Sequence, residues 1–130
     1  MPRAVEELTR WCGPQLLTIP RFATEDVELG GVRIAQGEAV TAAIVAVNRD
    51  PRAFAEPDRL DLARTAGSSG HLGYAHGPHF CLGAPLARVE TEVALSALLR
   101  RFPDLAPAIE EPALVPDPGT WRLTTLPVRL

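Results

Sequence analysis

A cysteine in a loop rich in glycine and histidine is the feature of this sequence most able to do chemistry. Cys81 lies between Gly77 and Gly83 and follows His79, and a segment with helical spacing of apolar residues begins directly after it at Ala84. Helix N-termini stabilise anions and lower the pKa of thiols, so this arrangement favours a thiolate. A thiolate presented in this way is either a nucleophile or a metal ligand.

The histidines near this loop keep other kinds of site open. His71, His76 and His79 could bind zinc together with Cys81 on residue type alone. Structural zinc sites usually take chelating pairs such as Cys-x-x-Cys, and the sequence contains no such pair. A catalytic Cys81 is a further alternative, but nothing in the sequence identifies the histidine that would act as its base. Taken singly, His71 and His76 are expected to be polar loop residues.

Composition favours one globular domain and gives no reason to expect a nucleic acid or a membrane as a partner. The 130 residues are 46% hydrophobic and 22% charged, and the net charge of -3 does not favour nucleic acid. No apolar run approaches the roughly 20 residues of a membrane span, and Met1-Pro2-Arg3 lacks the apolar core of a signal peptide. A disulfide between Cys12 and Cys81 is not favoured without an export signal. We therefore expect a cytoplasmic protein.

Hydrophobic spacing and turn residues predict the elements that position the loop. A short amphipathic helix is expected from Val5 to Cys12, and a long helix is expected from Ala84 to Arg101, with Pro85 in its first turn. Residues 48–69 show little periodicity and read as an ordered meander. A strand is predicted at 16–19, and a hairpin is predicted at 26–34. The apolar run 39–47 is ambiguous, and its length allows a buried strand followed by a short helix. A strand or hairpin arm is predicted at 121–130.

The cysteine loop resembles the haem-binding loop of the cytochrome P-450 monooxygenases, which reads F-G-x-G-x-H/R-x-C-x-G. Tyr74 stands in place of the phenylalanine of this pattern, and Ala75 stands in place of its first glycine. The residues that match the pattern are Gly77, His79, Cys81 and Gly83.

Two further motifs of this family occur in the expected order. Glu7-Leu8-Thr9-Arg10 fits the E-x-x-R helix, and Pro57-Asp58-Arg59-Leu60 fits the P-E-R-F-like element of the meander. The resemblance covers residues 1–130 and implies a mixed α+β, mainly helical fold. It implies the C-terminal part of the cytochrome P-450 fold, with a short E-x-x-R helix, small β hairpins, the meander, the haem-binding loop and a long helix after the cysteine.

The resemblance also implies a role for each candidate site residue. Cys81 looks like the proximal thiolate ligand of haem iron, and such a ligand suits oxygen activation. His79 and Arg21 look like the partners of the two haem propionates. The cofactor-binding loop would be completed by Tyr74, Gly77 and Gly83. The residues that would border a substrate cavity are Leu16, Leu17 and Thr18, together with the turn near Gly119 and Thr120.

The charged residues of the other motifs carry structural expectations. Glu7, Arg10 and Arg59 resemble the ion-pair triad that fastens the meander behind the haem. Arg88 is expected to lie on a solvated helix face with Arg100 and Arg101. An alternative is that Arg88 helps to dock an acidic redox partner.

The function implied by the resemblance is haem and iron binding through a thiolate. The family hydroxylates small apolar organic substrates with O2 and electrons from a ferredoxin-type redox partner. The sequence contains no A-G-x-x-T-like distal helix, so the distal half of the site is expected to be absent from these residues. We therefore expect weak haem binding, inefficient hydroxylation, and self-association or a need for a complementing chain. The alternatives are a catalytically inactive haem-binding remnant or binding module and, less favoured, a His/Cys zinc site.

Overall fold

Two long helices, a short helix and several two-stranded sheets make up the described architecture. The computed structural model describes residues 1–65, 70–115, 120 and 122–130. The helices are α1 (Pro2–Cys12), α2 (Ile44–Val47) and α3 (Ala84–Arg101), and a 3-10 helix spans Gly77–His79. The strands are β1 (Arg21–Phe22), β2 (Val27–Leu29), β3 (Val32–Ile34), β4 (Ala39–Val40), β5 (Ala106–Pro107) and β6 (Val128–Arg129).

The two long helices pack against each other. Helix α1 begins earlier than predicted, at Pro2, because a proline in the first turn has no N–H that a helical partner would need. Its buried positions are Val5, Glu7 and Arg10, so the face that carries the E-x-x-R motif points inward. Helix α3 has the predicted bounds.

The predicted hairpin is confirmed. Val27 pairs with Ile34, and Leu29 pairs with Val32, in an antiparallel register. Gly30 and Gly31 have φ values of 58° and 80°, which is the conformation that a two-residue hairpin turn of this hand requires.

The predicted strand at 16–19 is wrong. Leu17 makes only an isolated bridge to Ala43, and the regular strand β1 starts after Pro20 and pairs with β4. Four residue steps from Leu17 to Arg21 face three steps from Val40 to Ala43, so the ladder contains one extra residue. Pro20 has no N–H to donate, which explains why the pairing is interrupted there.

The remaining predictions for the backbone agree with the described residues. The apolar run 39–47 divides into β4 and the short helix α2, as expected, and the described part of the meander consists of turns. The closing arm is reduced to β6, which pairs with β5, and Trp121 lies outside the described residues.

Little apolar surface is buried in this chain. Among the residues that the structure describes, the buried apolar side chains are those of Val5, Ile44, Phe54 and Ala84. Helix α3 leaves large apolar side chains on more than one side between 41% and 62% exposed: Leu86, Val89, Val93, Leu98 and Leu99. Exposed apolar surface of this extent is typical of an interaction surface. Within the described ranges, no helix is both long and apolar enough to cross a bilayer.

Candidate functional site

An open pocket lies between the cysteine loop and the segment that leads into β1. Its volume is about 800 Å³, within the range of roughly 300–1,000 Å³ that small-molecule sites occupy. The structure brings four of the candidate residues to its wall: Arg21, Tyr74, His79 and Cys81. Apolar side chains complete the wall, among them Ile19, Pro20, Ile44 and Leu72.

The cysteine loop is held by its own backbone. The Cys81 N–H donates to the Tyr74 carbonyl at 2.9 Å, and the Phe80 N–H donates to the Gly77 carbonyl at 2.9 Å. The Ala84 N–H donates to the Cys81 carbonyl at 3.1 Å, which joins the loop to the first turn of α3. The Cys81 thiol is free and exposed. The loop therefore presents a sulfur to the pocket at the N-terminus of a helix.

Two positions of the loop adopt left-handed backbone. Gly77 has φ 73°, which a glycine adopts without cost. Ala75 has φ 62° at the position where the family pattern has glycine, so its Cβ is strained. Gly83 has ordinary helical backbone, and a Cβ there would make only an ordinary van der Waals contact with the Cys81 Sγ, at 3.9 Å.

The strain at Ala75 gives a prediction. Ala75→Gly is expected to raise the free energy of unfolding by about 0.5–1 kcal/mol, because glycine removes the left-handed penalty and loses part of that gain to a more flexible unfolded chain. Urea denaturation of the full chain measures the change. The matched control is Ala94→Gly on the exposed side of α3, which is expected to lower the free energy by about 1 kcal/mol. A destabilised Ala75→Gly variant would contradict the prediction.

Neither basic side chain of the pocket is engaged elsewhere. In the described part of the chain, no hydrogen bond or ion pair involves the side chain of Arg21 or His79. Both are exposed, with Arg21 at the start of β1 and His79 at the end of the 3-10 helix. They are therefore available as donors to an acidic ligand in the pocket.

A buried ion pair lies at the centre of the contact between α1 and the meander. Arg10 donates from Nε and Nη2 to the two carboxylate oxygens of Glu7, each at 2.8 Å. Its Nη1 donates to the carbonyls of Asn48 and Pro57, each at 2.8 Å. Glu7 and Arg10 are each only 3% exposed, and the guanidinium stacks over the Phe54 ring at 5.2 Å. These contacts fasten the meander to α1.

The third charged partner of this pair is Arg64, which corrects the assignment of Arg59. Arg64 Nε donates to Glu7 Oε1 at 3.0 Å, whereas the exposed Arg59 side chain pairs with Glu56 at 3.1 Å. The Asp61 N–H also donates to Glu7 Oε1, so the turn that contains residues 61–64 faces the carboxylate. Arg59 contributes its backbone carbonyl, which accepts from Arg10 and Arg64 at 3.3 and 3.1 Å.

These contacts change the titration of Glu7. Burial alone would raise the pKa of this carboxyl, but the hydrogen bonds from Arg10, the Asp61 backbone and Arg64 outweigh burial and lower the pKa to about 2. Glu7 is therefore ionised near neutral pH.

Arg88 differs from the sequence expectation, whereas His71 is a polar loop residue as expected. Arg88 is not on a solvated face, since its Nε and Nη2 form a fork with the Glu6 carboxylate at 2.5 and 2.9 Å. His71 is largely buried, and its Nε2 lies 3.1 Å from Glu6 Oε2. Burial lowers the pKa of His71 despite the opposing effect of Glu6. Glu6 therefore contacts both Arg88 and His71, and the sequence analysis did not identify it.

The zinc alternative has no geometric support. Across residues 1–65, 70–115, 120 and 122–130, the structure shows no group of three or more His, Cys, Asp or Glu side chains that could hold a metal ion. His71 is engaged with Glu6 and the Gly73 backbone instead. Of the predicted substrate-cavity residues, Thr18 lines the pocket, and Gly119 lies outside the described residues.

Comparison with known proteins identifies the family. A family model described as Cytochrome P450 matches residues 1–124, so this chain belongs to the cytochrome P450 family. Members of this family use haem as their cofactor. The pocket, the cysteine loop and the ion pair on α1 are therefore elements of a cytochrome P450 fold.

Similar relatives are found in bacteria. The chain is 52% identical over 88% of its length to the mycinamicin IV hydroxylase/epoxidase of Micromonospora griseorubida, and it covers 28% of that protein. It is 45% identical over 100% of its length to the 6-deoxyerythronolide B hydroxylase of Saccharopolyspora erythraea, and it covers 32% of that protein.

A solved structure shows the same partial fold. The tirandamycin C-bound P450 monooxygenase TamI superposes with a TM-score of 0.94 at 41% identity, and the match covers 99% of this chain and 32% of that one. The chain thus spans about a third of the length of the relatives that it matches.

Proposed function

We propose that this chain forms the proximal, haem-binding part of a cytochrome P450 monooxygenase, with the Cys81 thiolate as the ligand of haem iron. The observation that supports the proposal best is the shared pocket, whose wall holds an exposed thiol and two unengaged basic side chains, Arg21 and His79. The donor set fits the group, because a thiolate suits iron and the basic side chains suit two propionates.

Each residue of the pocket has a task in this proposal. The hydrogen bond from the Cys81 N–H to the Tyr74 carbonyl fixes the direction of the sulfur, and Gly83 leads the loop into α3 as the N-cap residue of that helix. Arg21 and His79 hold the propionates, and Ile19, Pro20 and Leu72 exclude water from part of the wall. Haem supplies oxygen activation when it is bound, and an axial thiolate favours cleavage of the O–O bond.

The proposal extends to the polypeptide that completes the site. The exposed apolar side chains of α3 are covered, in our proposal, by the remainder of the cytochrome P450 fold, since the relatives are about three times as long as the matched part. The completed protein would bind a small apolar organic substrate and would receive electrons from a ferredoxin-type donor. The chain by itself is expected to bind haem weakly and to hydroxylate inefficiently, because an open site leaves activated oxygen exposed to water.

The absorption spectrum of the chain with added haem, reduced and exposed to CO, tests the assignment of the ligand. The full chain at excess haem is expected to show the red-shifted Soret band of a thiolate complex. Cys81→Ala is expected to abolish this band, because it removes the sulfur. Cys12→Ala is the matched control, since it removes the other free cysteine outside the pocket, and it is expected to keep the band.

Two results would contradict the proposal. One is a thiolate-type band that survives in Cys81→Ala. The other is stoichiometric zinc in the purified chain together with no Soret band after addition of haem, which would revive the His/Cys zinc site.

A further inference from the structure

Four side chains form a cluster behind the cysteine loop, and they join three separate parts of the chain. Glu6 comes from α1, Arg88 comes from α3, and His71 and Tyr74 come from the segment that leads into the loop. Arg88 forms the fork with Glu6, and its guanidinium also stacks on the Tyr74 ring at 4.5 Å from the centroid. This cluster, here called the Tyr74 clamp, lies outside the pocket wall except at Tyr74 itself.

The clamp is connected to Cys81 by one hydrogen bond. The Tyr74 carbonyl accepts the Cys81 N–H at 2.9 Å, so a displacement of the Tyr74 backbone would weaken the bond that holds the Cys81 amide. The Tyr74 ring is held on one side by Arg88 at 4.5 Å and by His71, whose ring centroid is 5.8 Å away at an angle of 50°. A cation over an aromatic face and a tilted ring pair both stabilise such an arrangement.

Within the clamp, His71 acts as a neutral spacer and Arg88 acts as the charged partner of Glu6. The His71 Nδ1 accepts the Gly73 N–H at 3.0 Å, so the ring proton lies on Nε2 and is donated to Glu6 Oε2. The lowered pKa of His71 is consistent with this neutral form. The negative charge of Glu6 is therefore balanced by the Arg88 fork, which makes Arg88 the member on which the geometry depends.

We propose that Arg88 is a positioning residue for the Cys81 thiolate, acting through the Tyr74 ring and its carbonyl. The proposal rests on the proposed function only for the identity of Cys81 as the iron ligand. It assigns to Arg88 a task inside the protein, in place of the docking role that the sequence suggested as an alternative. Lysine cannot replace arginine in this task, because an ammonium group lacks the planar fork that reaches both Glu6 oxygens.

Hydrogen exchange of the Cys81 amide tests the proposal without haem. NMR of the full chain is expected to show a protected Cys81 N–H, and Arg88→Met is expected to accelerate its exchange at least about tenfold. Arg88→Lys is expected to fall between the wild type and Arg88→Met. The matched control is Arg100→Met, which removes a guanidinium from the far end of α3. Among the described residues its partner is the Ser96 carbonyl, and the variant is expected to leave the exchange unchanged.

The same spectra separate positioning from general unfolding. The amides of the middle of α3, such as that of Val93, are expected to keep their protection in Arg88→Met. If Arg88→Met does not fold, Glu6→Gln serves as the second variant, because it weakens the fork and leaves the arginine in place; it too is expected to accelerate exchange at Cys81. Unchanged Cys81 exchange in the folded variants would overturn the proposal, and so would an equal loss of protection at Val93.

A second measurement distinguishes this proposal from the proposed function. In the haem-loaded, reduced and CO-treated chain, Arg88→Met is expected to lower the fraction that shows the thiolate-type Soret band. A wild-type chain with a protected Cys81 amide and no such band would overturn the haem assignment and leave the positioning role standing. A wild-type chain with the band, together with unchanged Cys81 exchange in Arg88→Met, would overturn the positioning role and leave the haem assignment standing.

Discussion

Arg64→Met is expected to lower the free energy of unfolding by about 3 kcal/mol, whereas Arg59→Met is expected to leave it nearly unchanged. Arg64 bonds to a carboxylate that is 3% exposed, and it also donates to the carbonyls of Ala55, Glu56 and Arg59. Without Arg64, the buried Glu7 carboxylate and these carbonyls each lose a hydrogen-bond donor. Arg59 loses only an exposed pair with Glu56, which solvent screens.

Urea denaturation of the two variants and the wild type measures the contrast. A loss of about 3 kcal/mol is a large share of the 5–15 kcal/mol that stabilises a typical domain, so the urea midpoint of Arg64→Met is expected to fall well below that of the wild type. The two variants change the same residue type five positions apart, so each is the matched control of the other. Equal losses in both variants would show that the ion pair extends to Arg59 after all.

The local parts of the fold could be predicted from the sequence because their causes are local. The bounds of α3 follow from Pro85 near its start and Pro103 after its end, with apolar residues at helical spacing between them. The β2–β3 hairpin follows from Gly30-Gly31 between alternating residues. The loop motif identified Tyr74, His79 and Cys81 as candidates, the resemblance to the family added Arg21, and the structure brings all four to one wall of the pocket.

The choice between Arg59 and Arg64 could not be made from the sequence. Both arginines lie in the meander, which has no periodicity to show which side chain faces α1. The direction is set by tertiary contacts, namely the Asp61 N–H on Glu7 and the carbonyls that surround the Arg64 guanidinium.

The role of Arg88 was missed for a related reason. Its partner Glu6 is 82 residues away in sequence, and helical spacing alone places Arg88 only on a face of α3. The interruption of the strand pairing at Pro20 was missed for the same reason, because the partner strand β4 lies about 20 residues further along the chain. Contacts between distant segments decide these details, while propensity and spacing decide the elements.

The stability of the chain is expected to fall in acid because of Glu7. The folded protein holds the pKa of Glu7 at about 2, below its ordinary value of 4.5. Between these pH values the unfolded chain binds more protons than the folded chain, so the free energy of unfolding decreases as the pH falls. The contribution of Glu7 is fully present above about pH 4.5 and is lost as the pH approaches 2. Urea denaturation at a series of pH values between these limits measures the slope.

Glu7→Gln isolates this contribution from that of the other acidic groups. The variant is expected to be about 3–5 kcal/mol less stable near neutral pH, because Arg10 and Arg64 lose their buried counter-charge, and its stability is expected to fall less steeply in acid. The slope that remains would come from acidic groups whose pKa values are lowered by hydrogen bonds from Arg88, Arg33 and Arg52, namely Glu6, Asp26 and Asp50. Glu56→Gln removes an exposed carboxylate of the same type and is expected to keep the wild-type slope. An unchanged slope in Glu7→Gln would show that acid acts on this fold through groups other than the buried ion pair.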